Sequence, residues 1–455
     1  MVNRPVTRVK VMLLAGASVA ALMATGLTGT AIADPHPAAP ALSSRPGAAY
    51  TIYLDFSGFN YTGIWGGKTP GDLSAYDNVA SNGTFSSTDI SDIQNVWAIV
   101  SQEYIAYNVN VTTVDPAVAA GQASTDATRE AYYNATPQMM HTIITPSNSW
   151  LPNETGVAFV GVTPNSYSSA TAPYHTNFVF SNVLGDVSQY IARDATHENG
   201  HGMGLYHQAD YTGDKLVNEY SAGTGSGPGS VAPIMGQVFY AQRALWSVGT
   251  ADAHGGTYPS TQNDAKIIAN DPNNSFINDG VGHSIKTPTA LAVTGNTINF
   301  NVDKGVIVPA SQSNPNPAGQ NNYQDDFWSF HTSGGAVSIT ANSGTEFLKA
   351  GTADPGSTLD ALLNLYNSSG TLVADTPFVS GSLSNTLATN LTAGDYTLQV
   401  LNAANAVDNN PLYTTRNFYD MGAYFLSGSI PVPEPSTLTM LAISGIVLLT
   451  ARRRA

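Results

Sequence analysis

Apolar and polar residues alternate along Tyr50–Phe56 (Y-T-I-Y-L-D-F), a period-two pattern rich in β-formers that predicts a strand. Ile90, Ile93, Trp97, Val100 and Tyr104 then recur at helical spacing. Ser87 or Thr88 is available as cap, and Asp89 and Asp92 suit the first turn. Asn108–Val114 predicts a second strand, stopped by Asp115-Pro116. Met140–Thr145, Gly156–Val162 and the short Asn177–Ser181 predict three more. A second helix is expected from Asp186, with Gln189 at capping-box spacing and Val187, Tyr190, Ile191 and Ala195 as its buried stripe. From about residue 280 the pattern changes to short alternating strands with turn residues between them. The main ones are Thr297–Asn301, Asp326–Phe330, Ala336–Thr340, Leu362–Tyr366, Gly394–Leu401 and Gly422–Gly428, which together predict a β-sandwich. The fold class expected is therefore an α+β domain followed by an all-β sandwich.

Composition sharpens this picture. The chain has 455 residues, 42% apolar and only 11% charged, enough for two or three domains with a largely neutral polar surface. There is no cysteine, so thiol nucleophiles, thiolate metal sites and disulfides are excluded, and His, Asp and Glu are left as metal ligands. The net charge of −15 argues against nucleic acid as a partner and fits a soluble acidic surface.

The chemistry concentrates in His197-Glu198-Asn199-Gly200-His201-Gly202-Met203-Gly204-Leu205-Tyr206-His207, spaced H-E-x-x-H-x-x-G-x-x-H. Residues four apart share a helix face, so His197 and His201 can present imidazoles to one metal ion. Glu198 sits beside that face, within reach of a metal-bound water. Gly204 can take positive φ and turn the chain, bringing back His207 as third ligand. Three imidazoles with one open position describe a catalytic rather than a structural zinc site. Zinc lowers the pKa of its bound water from about 15.7 toward about 7, and Glu198 can take the proton.

This run resembles the signature of the metzincin clan of zinc endopeptidases. The resemblance implies an upper twisted mixed sheet backed by one helix, with the active-site helix below. It implies that Asn177–Ser181 is the cleft-edge strand that pairs with extended peptide. It implies a Met-turn at Ala232-Pro233-Ile234-Met235-Gly236, with Met235 as an apolar floor under the imidazoles rather than a ligand. Some members carry a Tyr two residues after that Met. Gln237 stands there in this chain, and Tyr240 is the nearest phenol, a candidate for metal or oxyanion contact. Gln208 replaces an acidic residue common after the third His. Thr261 and Asp264 have capping spacing for a final helix, and Asn263 stands where Asp is usual in a bacterial exported subset. One zinc per chain is expected. Calcium is left open, with no clear motif. His141, His254 and His283 read as satisfied or solvated rather than as ligands.

The ends carry addresses. Residues 1–33 read as a secretory signal, with Arg4, Arg8 and Lys10 before an apolar run and Ala31-Ile32-Ala33 as cleavage site. Residues 34–47 are Pro- and Ala-rich and read as a linker, residues 48–278 as the zinc protease domain. The pieces D-D-F-W-S-F, L-L-N-L-Y-N-S-S-G and L-T-A-G-D-Y-T-L-Q-V resemble the bacterial pre-peptidase C-terminal domain across 283–429. Residues 432–455, with Val432-Pro433-Glu434-Pro435, an apolar run and Arg452-Arg453-Arg454, resemble the PEP-CTERM sorting signal of Gram-negative bacteria, read by an exosortase-type protease. The apolar stretch of about 14 residues spans roughly 21 Å as a helix, short of the roughly 30 Å hydrocarbon core, which fits a transient anchor. The function expected is an exported zinc endopeptidase acting on protein or peptide, destined for the cell surface or beyond. Two rivals stay open: a non-catalytic zinc-containing surface or matrix binding protein, and a zinc hydrolase of non-peptide amides.

Overall fold

The computed structural model describes residues 36–76, 83–122, 125–163, 172–252, 260–270, 274–345, 353–403, 407–408 and 416–432. The signal segment, the run after Val432 and His254 lie outside them. Among the described residues, no helix is long and apolar enough to cross a membrane.

The N-terminal region is a mixed α/β unit built on a five-stranded sheet in the order Val109–Thr112, Tyr50–Asp55, Met139–Thr145, Thr176–Phe180, Gly156–Val157. The first four strands run parallel and the last antiparallel. Central strands are buried on both faces, as parallel sheets covered by helices require. Helix Ser87–Glu103 begins one residue earlier than the pattern suggested. Ser86 is the cap, and Ser86 and Asp89 exchange a reciprocal capping box. Ile93, Val96, Trp97 and Val100 face the core, whereas Ile90 is 37% exposed, because the helical register carries it off the buried stripe.

Several expectations change. Asn177–Ser181 was expected at the sheet edge. The strand is Thr176–Phe180, it is buried throughout, and it has a neighbour on each side. The chain after Met139–Thr145 loops out and returns as Gly156–Val157, which takes the end position. That strand is shorter than the Gly156–Val162 expected. The amides of Gly161, Val162 and Thr163 instead bond the His201 and Gly202 carbonyls at 2.8 to 3.1 Å. Helix C-termini leave carbonyls without intrahelical partners, and here a passing segment satisfies them.

The second long helix spans Ser188–Gly202 and has no side-chain cap bond. The capping box from Asp186 does not form, because Asp186 sits at φ 55 after Gly185 at φ 66, in a turn whose amide bonds Ser181. Val187 is 42% exposed, while Ile191 and Ala195 are fully buried against the rest of the core. The short helix Asp264–Ala269 is capped by Asn263, whose side chain accepts from Lys266 N, not by Thr261. The stretch read as a linker is tied down from residue 36 onward. Leu42–Ser44 bonds to Val111 and Thr113 and covers the outer edge of strand Val109–Thr112.

The C-terminal region is β-rich. One five-stranded sheet is ordered Thr289–Ala290, Asp326–Thr332, Gly394–Asn402, Ala361–Asn367, Leu372–Asp375. A seven-stranded sheet includes Lys304–Pro309, Gly335–Ser343, Ser384–Leu391 and Gly422–Ser429. Alternate residues such as Trp328, Leu363, Leu398, Ile339 and Leu426 are buried in one cluster. That cluster continues into the N-terminal region through Trp246, Ile191 and Val96. A four-stranded sheet, Ser260–Asn263, Ser247–Ala251, Arg416–Phe418, Val407–Asp408, also crosses the divide expected near 280.

Candidate metal centre

Helix Ser188–Gly202 presents His197 and His201 on one face, with ring centroids 4.7 Å apart. Met203 caps the helix, and Gly204 at φ 108 turns the chain, a conformation that a side-chain-bearing residue adopts only with strain. The turn returns His207 with its ring 4.8 Å from that of His201 and 5.3 Å from that of His197. The ligand atoms of all three lie within 4.8 Å of one another, and the group can hold a metal ion.

The hydrogen bonds decide the tautomers. His197 Nδ1 lies 2.8 Å from the Ile234 carbonyl and His201 Nδ1 2.7 Å from the Leu205 carbonyl. A carbonyl only accepts, so both Nδ1 atoms carry hydrogen. His207 Nδ1 lies 3.0 Å from Glu219 Oε1, and the carboxylate sets the same tautomer. The Nε2 atoms of His201 and His207 then face each other at 3.0 Å. With Nδ1 of each ring braced, each turns its Nε2 toward the other, the arrangement in which a cation can lie between them. Metal–nitrogen bonds of about 2.0–2.1 Å separate two ligands by about 3.3 Å at a tetrahedral angle. The donor set therefore fits a metal of the zinc type, with each imidazole braced through its second nitrogen. Burial, with the nearby His207 adding to it, pushes the His197 pKa down to about 3, which keeps that ring neutral.

Glu198 lies beside the triad, almost wholly buried, and its Oε2 has no hydrogen-bond partner among the described residues. Burial raises its pKa well above the usual carboxylate range, and the Asp194 and Glu154 carboxylates add to this. Asp194, one helical turn earlier, is pushed up to about 7 by burial, against a bond from Thr155. Both carboxylates abut strand Gly156–Val157. A Cβ on Gly156 would be closest to Asp194 Oδ2 and 2.8 Å from Glu198 Oε1.

Met235 is fully buried, and its sulfur packs against Gly200 in the middle of the motif. The neighbouring Ile234 carbonyl braces His197. Gly202, costly to helix propensity, also has a packing reason: a Cβ there would come within 2.8 Å of the Met140 sulfur. Gln208 is buried and donates to Asp264 Oδ1 at 2.8 Å.

Tyr240 is not brought to the imidazoles. It is 64% exposed and lies against Tyr190, 6.2 Å between centroids. The phenol beside the triad is Tyr220, whose ring is 4.3 Å from that of His207. Glu219, Tyr220 and Asp194 were missed by sequence reasoning. Asp194 was reachable, since it stands four residues before Glu198 on one helix face. Glu219 and Tyr220 arrive on a loop, and no spacing announces them. His141, read as satisfied, is buried and bonds Asp55 at 3.0 Å.

No protein-family profile matches the chain, and no curated protein matches it. A solved structure, the pre-peptidase C-terminal domain of collagenase from Bacillus anthracis, is similar at 17% identity. The match covers 30% of this chain and 94% of that one, with a TM-score of 0.17. A score that low carries no conclusion about this chain, and the β-rich region stands on its own strand register.

Proposed function

We propose that the chain is an exported zinc-dependent endopeptidase of the metzincin type. The observation that carries this reading is the 3.0 Å approach of His201 Nε2 and His207 Nε2, both braced through Nδ1, beside a buried Glu198 with an unpartnered oxygen. A zinc ion held by His197, His201 and His207 would supply a Lewis acid that acidifies water and polarises a peptide carbonyl.

The chain's own residues have the following parts. Glu198 accepts the proton of the attacking water and returns it to the leaving amine. Its buried position raises its basicity, so the carboxylate holds a proton more strongly than one in solvent. Met235 supports the imidazoles from below. Strand Gly156–Val157, at the end of the described sheet, offers backbone groups to which an extended peptide can add as a further strand. Gly156 abuts Glu198, so a peptide added there would run beside the carboxylate. An unpartnered buried carboxylate next to the triad has no use in a pure binding module, which favours the enzymatic reading.

The β-rich region is proposed, from its sequence pieces, as an accessory module of the pre-peptidase C-terminal type. Residues 1–33 are proposed to direct export and the PEP-CTERM-like tail to give transient membrane contact before an exosortase-type enzyme removes it. The decisive experiment incubates the purified mature chain and its Glu198→Gln variant with a denatured protein mixture and maps new termini by mass spectrometry. The wild type is expected to cut. The variant is expected to retain zinc and lose activity by about 100- to 10,000-fold. Equal cutting by both would refute the role of Glu198, and zinc binding without cutting by either would favour the binding module.

A further inference from the structure

His197 and His201 ride on a helix, but His207 stands on a loop, and something must hold that loop. Its neck is formed where Gln208 and Ala209 leave the fold and Ser221 re-enters. Gln208 N bonds the Met235 carbonyl at 2.7 Å, and Ser221 N bonds the Gln208 carbonyl at 2.9 Å. Between them the chain runs out through an exposed strand, Lys215–Asn218.

A guanidinium from the far end of the chain sits in this neck. Arg416 belongs to strand Arg416–Phe418, which pairs with Ser247–Ala251. Its side chain is fully buried. Nε donates to Gln208 Oε1 at 3.2 Å, Nη2 to the Ala209 carbonyl at 3.0 Å, and Nη1 to Ser221 Oγ at 2.6 Å. Asp210 Oδ1 lies 3.6 Å from Nη1 and supplies opposite charge. One planar group thus holds both sides of the neck, a task that suits the fixed fork of arginine and that a lysine cannot reproduce. The space exists because residue 249 is glycine: a Cβ there would lie 2.7 Å from Arg416 Nε and 2.6 Å from Gln208 Oε1.

We infer that Arg416 is a positioning residue for the candidate metal centre, so that the C-terminal β-rich region is a structural part of that centre. This rests on the reading of His197, His201 and His207 as metal ligands. Arg416 bonds the residue after His207 on one side. On the other it bonds the residue after Tyr220, whose ring lies beside His207 and whose neighbour Glu219 braces His207 Nδ1. Without the guanidinium, the neck keeps its backbone bonds but loses the group that fixes the two sides relative to each other. The third ligand then has to be ordered by the metal itself, and affinity falls accordingly.

The test measures Zn2+ and Co2+ affinity of the full mature chain by competition with a chromophoric chelator, together with the visible spectrum of the Co2+ form. Arg416→Gln is expected to lower affinity by about 10- to 100-fold, the usual effect of removing an outer support. The Co2+ spectrum should shift toward that of His207→Ala. In the His207→Ala background, Arg416→Gln should add no further loss. Arg243→Gln is the control. Arg243 also ties the two regions together, through the Ser357 and Thr358 carbonyls and Asp420, but touches no part of the neck. It should lower thermal stability and leave affinity unchanged. Should Arg416→Gln fail to fold, Ser221→Ala, which removes one acceptor, is expected to give a smaller loss. Unchanged affinity and spectrum in the folded variant, or an equal added loss in the His207→Ala background, overturns the proposal. A wild-type chain that binds neither metal stoichiometrically overturns instead the metal reading on which it stands.

Discussion

The sulfur of Met235 lies 2.6 Å from the point that a Cβ on Gly200 would occupy. No ordinary packing tolerates that distance, so Gly200 and Met235 are matched: the helix lacks a side chain where the Met235 side chain packs against it.

The first prediction follows from that pair. Gly200→Ala improves helix propensity by about 1 kcal/mol but overpacks the floor at a cost of about 1–3 kcal/mol. It is expected to be destabilising or neutral despite the better propensity. Met235→Ala leaves a cavity and is expected to cost about 2–5 kcal/mol. The double variant should be more stable than the sum of the single effects, because the new methyl fills part of that cavity. Urea unfolding of the chelator-treated chain measures all three, and strict additivity would show that the two positions are independent.

Tyr220 and Tyr240 separate cleanly. Tyr220 lies on His207, whereas Tyr240 is exposed against Tyr190. Tyr220→Phe is expected to lower kcat/KM for peptide cleavage by about 5- to 10-fold, the worth of one hydrogen bond near 1 kcal/mol. Tyr240→Phe should leave it unchanged. Steady-state kinetics on one peptide substrate decides, and the reverse ranking would return the role to Tyr240.

Buried carboxylates set a pH dependence. Burial pushes Glu103 up to about 7, with Arg193 and Thr196 opposing. It pushes Asp326 to about 7 against the bond from His283, and Asp360 to about 7 with the Asp420 carboxylate adding. Between their unfolded values near 4 and these folded values, the folded chain holds protons that the unfolded chain has released. Their stabilisation is complete below about pH 4 and is lost as pH rises through about 7. His197, held near 3, and His175, also pushed down by burial, act in the opposite sense below about pH 6.5, while Asp194, at about 7, and Asp264 and Asp325, at about 6, add to the carboxyl side. The metal-free chain is therefore expected to have a lower urea midpoint at pH 8 than at pH 5.5. A midpoint that rises over that interval would contradict the protonation of these groups.

The tail gives a prediction in the native host. The Val432-Pro433-Glu434-Pro435 run, proposed as the sorting motif that an exosortase-type protease reads, sets where cleavage is expected. The C-terminus of the mature chain is expected near Pro435 by mass spectrometry. Mature membrane-bound protein that still ends in Arg452-Arg453-Arg454 would identify the tail as an ordinary anchor.

What could be read from the sequence was local. The four-residue spacing of His197 and His201, the Gly204 turn and the alternation of the strands each depend on the period of one element, and periods survive in a linear string. The strand Thr176–Phe180 shows where this stops. Its apolar run predicts a strand, but only the return of Gly156–Val157 beside it decides that it is interior rather than edge. Capping failed at Asp186 for a related reason, since the left-handed turn through Gly185 and Asp186 overrides the spacing. Glu219, Tyr220 and above all Arg416 reach the candidate centre only through tertiary contacts, and a pair such as Gln208 and Arg416 leaves no periodic trace. The tertiary structure alone decided that a residue from the β-rich end stands behind the third imidazole, because it takes the whole intervening fold to bring that guanidinium into the neck of the loop.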